Sequence, residues 1–500
     1  MKNKFIYLAV LAAGFASCEP EFENEVSANY SSGDADFTSY VAIGNSLTAG
    51  YMDGTVSRVG QTYSFPNLLA QKFALVGGGE FTQPSYEEDV DNVGGIQGLP
   101  GFNKRLVIDV SQGRPEIIST GNIGVTLTPQ ATAYNNMGVP GAKSFHLGFS
   151  GYGNVANLPN ANPYFVRHAT SPSATILGDA MTKNPTFFTN WIGANDVLSY
   201  ATNGGAQADG ITPAVDQTGN MNAASYGSND ITDPGLFNIV YGQIVTTLTA
   251  GGAKGVVATV PSVTSIPYFT TVPFNPVPLD NATATQLNSV YATYNGGLDL
   301  AFSNGLITNQ ERMKRKINFV AGKNPVVIVD NDLTNLSGLG IPSYRMTTSQ
   351  DLIVLPASSF IGTTVGGNPT LINGVSVPLS NKWVLTANEK AKVASATASY
   401  NASIRSIAAS KGLAVADMNA IMNQLVSGLR IDDGTIYTAN YFSPTTASSV
   451  LFSLDGVHPN PRGYAVIANE IIKVINNHYH ANIPIYSPAN FPGISIVPSN

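Results

Sequence analysis

Five short apolar runs place the strongest constraint on what this chain can become. They fall at residues 39–43, 131–134, 186–192, 254–260 and 413–417. Each reads as a strand buried on both faces, because such strands need not alternate apolar with polar residues. Helical patterns lie between or after them, at 66–75, 236–250, 386–411 and 461–477. The second of these has apolar residues three and four apart. The third is rich in Ala and stops at Gly412, and the fourth opens with Pro461 in its first turn. Strands that alternate with helices predict an α/β chain with a parallel sheet and helices on both of its faces.

Three stretches break that rhythm, at about 76–130, 198–232 and 262–385. They are rich in Gly, Pro, Thr and Asn, with short alternating runs at 326–329 and 352–355, and read as insertions on one side of the sheet. Of the 500 residues 43% are hydrophobic, enough to bury a sizeable core, while only 11% are charged and the net charge is −7. Ordinary soluble proteins carry about 25% charged residues, so this surface relies on neutral polar groups. No basic stripe is present to displace counterions from phosphates, which argues against a nucleic-acid partner. The glycine runs at 77–79 and 94–95 lack the Lys-Ser/Thr of a phosphate loop. Residues 481–500 are Pro-rich and read as a C-terminal tail, with an edge strand as the other option.

The N-terminus follows a separate logic. Lys2 and Lys4 precede an apolar run over 5–15, too short to span a bilayer. Ala16, Ser17 and Cys18 follow, and Cys18 is the only cysteine, so no intramolecular disulfide can form. Residues 1–18 resemble a bacterial lipoprotein signal, in which Cys18 is lipidated and becomes the mature N-terminus. Phe15 departs from the aliphatic residue usual at that point. Residues 19–36 are polar and acidic, with Glu19, Glu21, Glu23 and Glu25, as expected of a flexible tether. In lipoproteins of Bacteroidota such an acidic stretch resembles the signal for display on the cell surface. The resemblance implies a cell-envelope protein held at the outer membrane by the lipid on Cys18.

Chemistry-bearing residues gather at the ends of the expected strands. The first strand runs into Gly44-Asn45-Ser46-Leu47, which puts a serine at the sheet's carboxyl edge, where α/β folds bind ligands. Asn136-Met137-Gly138-Val139-Pro140-Gly141 follows the second strand, and Gly193-Ala194-Asn195-Asp196 the third. Asp455-Gly456-Val457-His458 lies just before the last helix. Each segment has a plain structural explanation by itself: a surface turn for Asp455 and His458, a helix cap for Asn195 and Asp196, turn glycines at Gly138 and Gly141. Together, and in this order, they resemble the four sequence blocks of the SGNH (GDSL-like) serine hydrolases.

That resemblance implies a flavodoxin-like three-layer SGNH hydrolase fold with a parallel central sheet, spanning 37–480 and carrying the three insertions. It implies Ser46 as nucleophile, His458 as general base and Asp455 as the carboxylate that orients it. The backbone N–H groups of Ser46 and Gly141 and the amide of Asn195 would form the oxyanion hole. Asn45 departs from the family, which more often has Asp there. The implied activity is ester hydrolysis through an acyl-enzyme, with no metal or other cofactor and no obligate protein partner. Apolar stretches in the third insertion, at 266–269, 273–274 and 352–360, favour lipid or acyl esters as substrates. The alternatives are a carbohydrate O-acetyl esterase and a non-catalytic glycan- or lipid-binding lipoprotein on the same scaffold. His478 and His480 have the spacing of a metal pair but no evident third ligand, and read as a solvated helix end.

Overall fold

The computed structural model describes residues 29–443, 446 and 449–500. The signal segment, Cys18 and residues 19–28 of the expected tether lie outside the described residues. Five strands form the central sheet: β1 (Tyr40–Gly44), β2 (Asn136–Gly138), β3 (Phe187–Trp191), β4 (Lys254–Ala258) and β5 (Ala414–Ala416). All pair in parallel, in the order β2-β1-β3-β4-β5. The chain is thus an α/β protein with a parallel central sheet.

Alternation along β1 sends Val41 and Ile43 to one face and Tyr40 and Ala42 to the other, each into its own apolar core. On the first face, α4 (Pro234–Thr249) and α6 (Ala387–Lys411) pack together, with Phe237 and Tyr400 stacked at 4.2 Å between ring centroids. On the second lie α2 (Phe65–Phe73) and α8 (Pro461–His478). Helix α8 buries Tyr464, Ala468, Ile471, Ile472 and Ile475, a stripe at helical spacing. Helix α6 begins at a capping box between Thr386 and Glu389 and ends where Gly412 turns left-handed, as its sequence predicts. Three shorter helices line the carboxyl edge: α1 (Ser46–Ala49), α3 (Asn195–Thr202) and α7 (Met418–Ser427).

The second strand lies further along than its apolar run at 131–134 predicts. Ala131 takes a left-handed φ of 50°, and the buried pairing with β1 falls on Asn136–Gly138. Hydrophobicity misleads here because Asn136 is buried with its polar groups satisfied. Its amide donates to the Thr48 carbonyl and to Gln83, each at 3.0 Å, and its Oδ1 accepts from Gly138 N at 3.0 Å. The third insertion holds a 23-residue helix, α5 (Asn281–Ser303), where only irregular chain and short strands were expected. Its buried positions, Ala284, Leu287, Tyr291, Leu298 and Ala301, do keep helical spacing.

Both ends of the described chain lie against the body. Within the stretch expected to tether, Ser31 bridges to Asn482, and Ala35 is buried. In the expected tail, Tyr486 Oη donates to the Leu68 carbonyl at 2.8 Å, and Ile496–Val497 pairs in parallel with Leu106–Asp109 of the first insertion.

Candidate active site

Ser46 opens α1 directly beyond β1, and close backbone packing shapes this turn. A Cβ on Gly44 would lie 2.1 Å from Thr48 Oγ1, and one on Gly138 would lie 2.3 Å from Ala49 N. Only glycine lets β1 turn so sharply into α1 and lets β2 end against that helix. Asn45 caps α1 by accepting from Leu47 N at 3.2 Å, while its own buried Nδ2 has no partner among the described residues. The serine itself is 7% exposed.

The loop between Leu451 and Asn460 brings Asp455 and His458 to Ser46, more than 400 positions away in the chain. His458 Nε2 lies 2.8 Å from Ser46 Oγ, and His458 Nδ1 lies 2.9 Å from Asp455 Oδ2. The spacing of the two loop residues works through the backbone. Asp455 Oδ1 accepts from Val457 N and His458 N, both at 2.8 Å, which folds the carboxylate back under the ring. Burial pushes the Asp455 carboxyl up, but the His458 ring and these N–H donors outweigh it and hold the group below the usual carboxylate range. Asn460 then caps α8, accepting from Gly463 N at 2.9 Å, so the loop runs straight into a rigid helix.

A second support comes from a turn that lies outside the four sequence blocks. Met52 and Thr55 pair across a tight turn in which Asp53 and Gly54 both have positive φ, 53° and 85°. Gly54 N donates to Asp455 Oδ2 at 3.1 Å. Ser453 Oγ donates to Asp455 Oδ1 at 3.0 Å and accepts from Asp53 N at 3.0 Å. Leu454 N donates to Asp53 Oδ1 at 3.0 Å. Two chain segments thus grip each other around the Asp455 carboxylate. An Asp-Gly pair is a strong signal for such a turn, so the turn was legible in the sequence, although its partner was not. The Tyr51 ring lies against His458, with centroids 4.5 Å apart.

Asp53 also predicts a pH response. Burial pushes its carboxyl up to about 7, with the Leu454 N–H opposing and the Asp455 charge adding to the rise. Its neutral form is therefore favoured in the fold. Stability from this group is present below the ordinary value of 3.8 and is lost as pH rises through about 7. Glu389, pushed by burial to about 7 as well, acts in the same sense. The expected result is a midpoint of thermal unfolding that falls between about pH 4 and about pH 7, with a smaller fall in Asp53→Asn. An equal fall in both proteins would contradict this role for Asp53.

The strands beside β1 deliver the remaining residues to the same edge, since Gly44 pairs in register with Gly138 of β2 and with Trp191 of β3. Val139-Pro140-Gly141-Ala142 forms a turn closed by Ala142 N donating to the Val139 carbonyl at 3.1 Å, with Gly141 at φ 81°. Gly141 is exposed, and its N–H donates no hydrogen bond among the described residues. Asn195 is the first residue of α3 and does not cap it. Its Nδ2 donates to the Ala142 carbonyl at 3.0 Å, and its second amide hydrogen is left for another acceptor. Asp196 braces the same loop, accepting from Ser144 N at 2.9 Å and Ser144 Oγ at 2.7 Å.

The other histidines stand apart from this cluster. Burial, with Lys143 and Arg167 nearby, lowers His146 and His168 to about 3, so both rings are neutral. His478 Nε2 meets the Gly412 carbonyl, whereas His480 Nδ1 meets Asp34, so the two do not converge. What does converge is a serine hydroxyl, an imidazole and a carboxylate in one hydrogen-bonded line, with an unpaired backbone N–H and a side-chain amide on the adjoining loops. Such a line can deprotonate a serine for attack on an acyl carbon. Compared with models of known protein families, with curated proteins and with solved structures, the chain matches none.

Proposed function

We propose that this protein is a serine esterase that hydrolyses carboxylic esters through an acyl-enzyme intermediate, on the plan of the SGNH hydrolases. The observation that carries the reading is the continuous line from Asp455 through His458 to Ser46, at 2.9 and 2.8 Å. The sheet order supports the family, since 2-1-3-4-5 is the flavodoxin-like order, in which the carboxyl edge beside the first strand is the ligand crevice.

In this mechanism Ser46 Oγ attacks the ester carbon as His458 Nε2 takes its proton. Asp455 stabilises the imidazolium without becoming protonated. The oxyanion is bound by the N–H groups of Ser46 and Gly141 and the amide of Asn195. His458 returns the proton to the departing alkoxide, leaving the acyl group on Ser46. Water, deprotonated by His458, then releases the acid and restores the serine. A burst of nitrophenol from p-nitrophenyl acetate, matching the enzyme concentration or followed by steady turnover, is the expected result. No turnover of any simple ester by folded protein would overturn the reading.

Asn195 tests the oxyanion hole. Its contact with the oxyanion strengthens only as charge develops, so Asn195→Ala is expected to lower kcat by about 10²–10³ with little change in KM. Asn195→Asp should be worse, because a carboxylate repels the oxyanion. A fully active Asn195→Asp enzyme would remove this residue from the site. The lipid anchor is a separate part of the proposal. Cys18→Ala should move the protein from membrane to soluble fractions or trap its precursor, and an unchanged distribution would contradict the anchor.

A further inference from the structure

One side chain that the mechanism leaves out touches the base itself. The Tyr51 ring lies against the His458 ring with centroids 4.5 Å apart and planes inclined at 43°. This tyrosine is itself firmly held. Its N–H donates to the Ser46 carbonyl at 3.0 Å, so it stands on the same short turn as the nucleophile. Its carbonyl accepts from Tyr464 Oη of α8 at 2.7 Å. Its Oη donates to the Gly54 carbonyl at 2.5 Å, and Gly54 N donates to Asp455 Oδ2, the oxygen that meets His458 Nδ1. Its ring packs on the apolar cluster of Ala49, Val56, Tyr86, Ile96 and Val125, and Tyr164 meets it edge-on at 6.4 Å. Burial, with the Asp455 charge adding to it, pushes the phenol above its ordinary value, so Oη keeps the proton it donates.

We infer that Tyr51 is a positioning residue, whose ring is the wall that keeps the His458 imidazole aligned between Ser46 Oγ and Asp455. The inference rests on the esterase reading and adds to that site a residue that does no chemistry of its own. The hydrogen bonds at Nε2 and Nδ1 lie in the plane of the imidazole and fix its nitrogens along one line. They do little against tilting out of that plane, whereas a flat, rigid neighbour resists it. The ring is the part of Tyr51 that can do this, because the hydroxyl points to Gly54 and away from the imidazole. Both acylation and deacylation pass a proton through Nε2, so a loosened ring slows turnover whichever step limits it. A misplacement of about 1 Å at such a group costs about 10²-fold in rate. Ground-state binding of the ester does not use the base, so KM should change little.

The test measures kcat and KM for p-nitrophenyl acetate, with a thermal melt, on the full chain and three variants. Tyr51→Leu removes the flat face and should lower kcat about tenfold to a hundredfold with KM nearly unchanged. Tyr51→Met, a flexible apolar side chain of similar reach, should do the same, which protects the test if the first variant does not fold. Tyr51→Phe keeps the ring and loses only the bond to Gly54, so its kcat should stay within about threefold of wild type. Folded Leu and Met variants with wild-type kcat would overturn the inference. So would a Phe variant as slow as Leu, which would assign the effect to the hydroxyl, or a loss confined to KM, which would make Tyr51 a substrate contact. Loss of the fold in both Leu and Met would overturn it too, since the ring would then serve structure. Failure of the esterase reading looks different: the wild-type protein itself hydrolyses no ester, and Ser46 does not react with an organophosphorus probe.

Discussion

Ser46→Ala is expected to lower ester hydrolysis by about four to six orders of magnitude while the fold survives. The substitution removes one oxygen from a residue that is already 7% exposed, and it opens no large cavity. Its structural cost is the partner of His458 Nε2, on the order of 1 kcal/mol. The backbone N–H of residue 46 and the cap from Asn45 are untouched, because neither uses the Ser46 side chain. Kinetics and a thermal melt on the same preparation check both halves. A variant with more than about a tenth of wild-type kcat, or one that no longer folds, would contradict the assignment of Ser46 as a nucleophile placed for chemistry rather than for structure.

Asp455→Asn should come close to that loss, with kcat down about 10⁴, although it changes almost nothing in shape. Asp455 accepts five hydrogen bonds: from Ser453 Oγ, Gly54 N, Val457 N, His458 N and the His458 ring. An asparagine has one acceptor oxygen and an NH2 group. If the NH2 faces His458, Nδ1 must become an acceptor and Nε2 carries the proton, so the ring cannot take one from Ser46. If it faces the loop instead, the N–H groups of Val457 and His458 lose their acceptor and the loop loosens. A drop of about 1–3 kcal/mol in stability is expected in that case. Were Asp455 only a turn former, Asn would serve as well, and activity would stay within about tenfold of wild type.

The parts of this molecule legible in its sequence are those set by local patterns. The apolar runs at 39–43 and 186–192 reveal β1 and β3, and Gly412 marks the end of α6. Ser46, Asp455 and His458 stand out only through the resemblance of four segments taken together, and the fold sets the three side chains within hydrogen-bonding distance. Strand β2 escaped because Met137 is its one apolar residue, set between Asn136 and Gly138, and the burial of Asn136 depends on partners at Thr48 and Gln83 that no local window contains. Helix α5 was hidden among Thr, Asn and Gly, which are weak helix formers, although its apolar spacing was there to be counted. The Asp53–Gly54 turn shows the limit most clearly. Its shape is local and readable, but its role comes from Ser453, Leu454 and Asp455, which only the folded chain brings to it.

The most direct measurement of the central claim is the mass of the protein after exposure to a fluorophosphonate, followed by peptide mapping. Such probes phosphonylate a serine only when a neighbouring base has activated it. One adduct per chain is expected, located on Ser46, absent in Ser46→Ala and slowed strongly in Asp455→Asn. A wild-type protein that stays unmodified while folded, or one modified at a different serine, would contradict it.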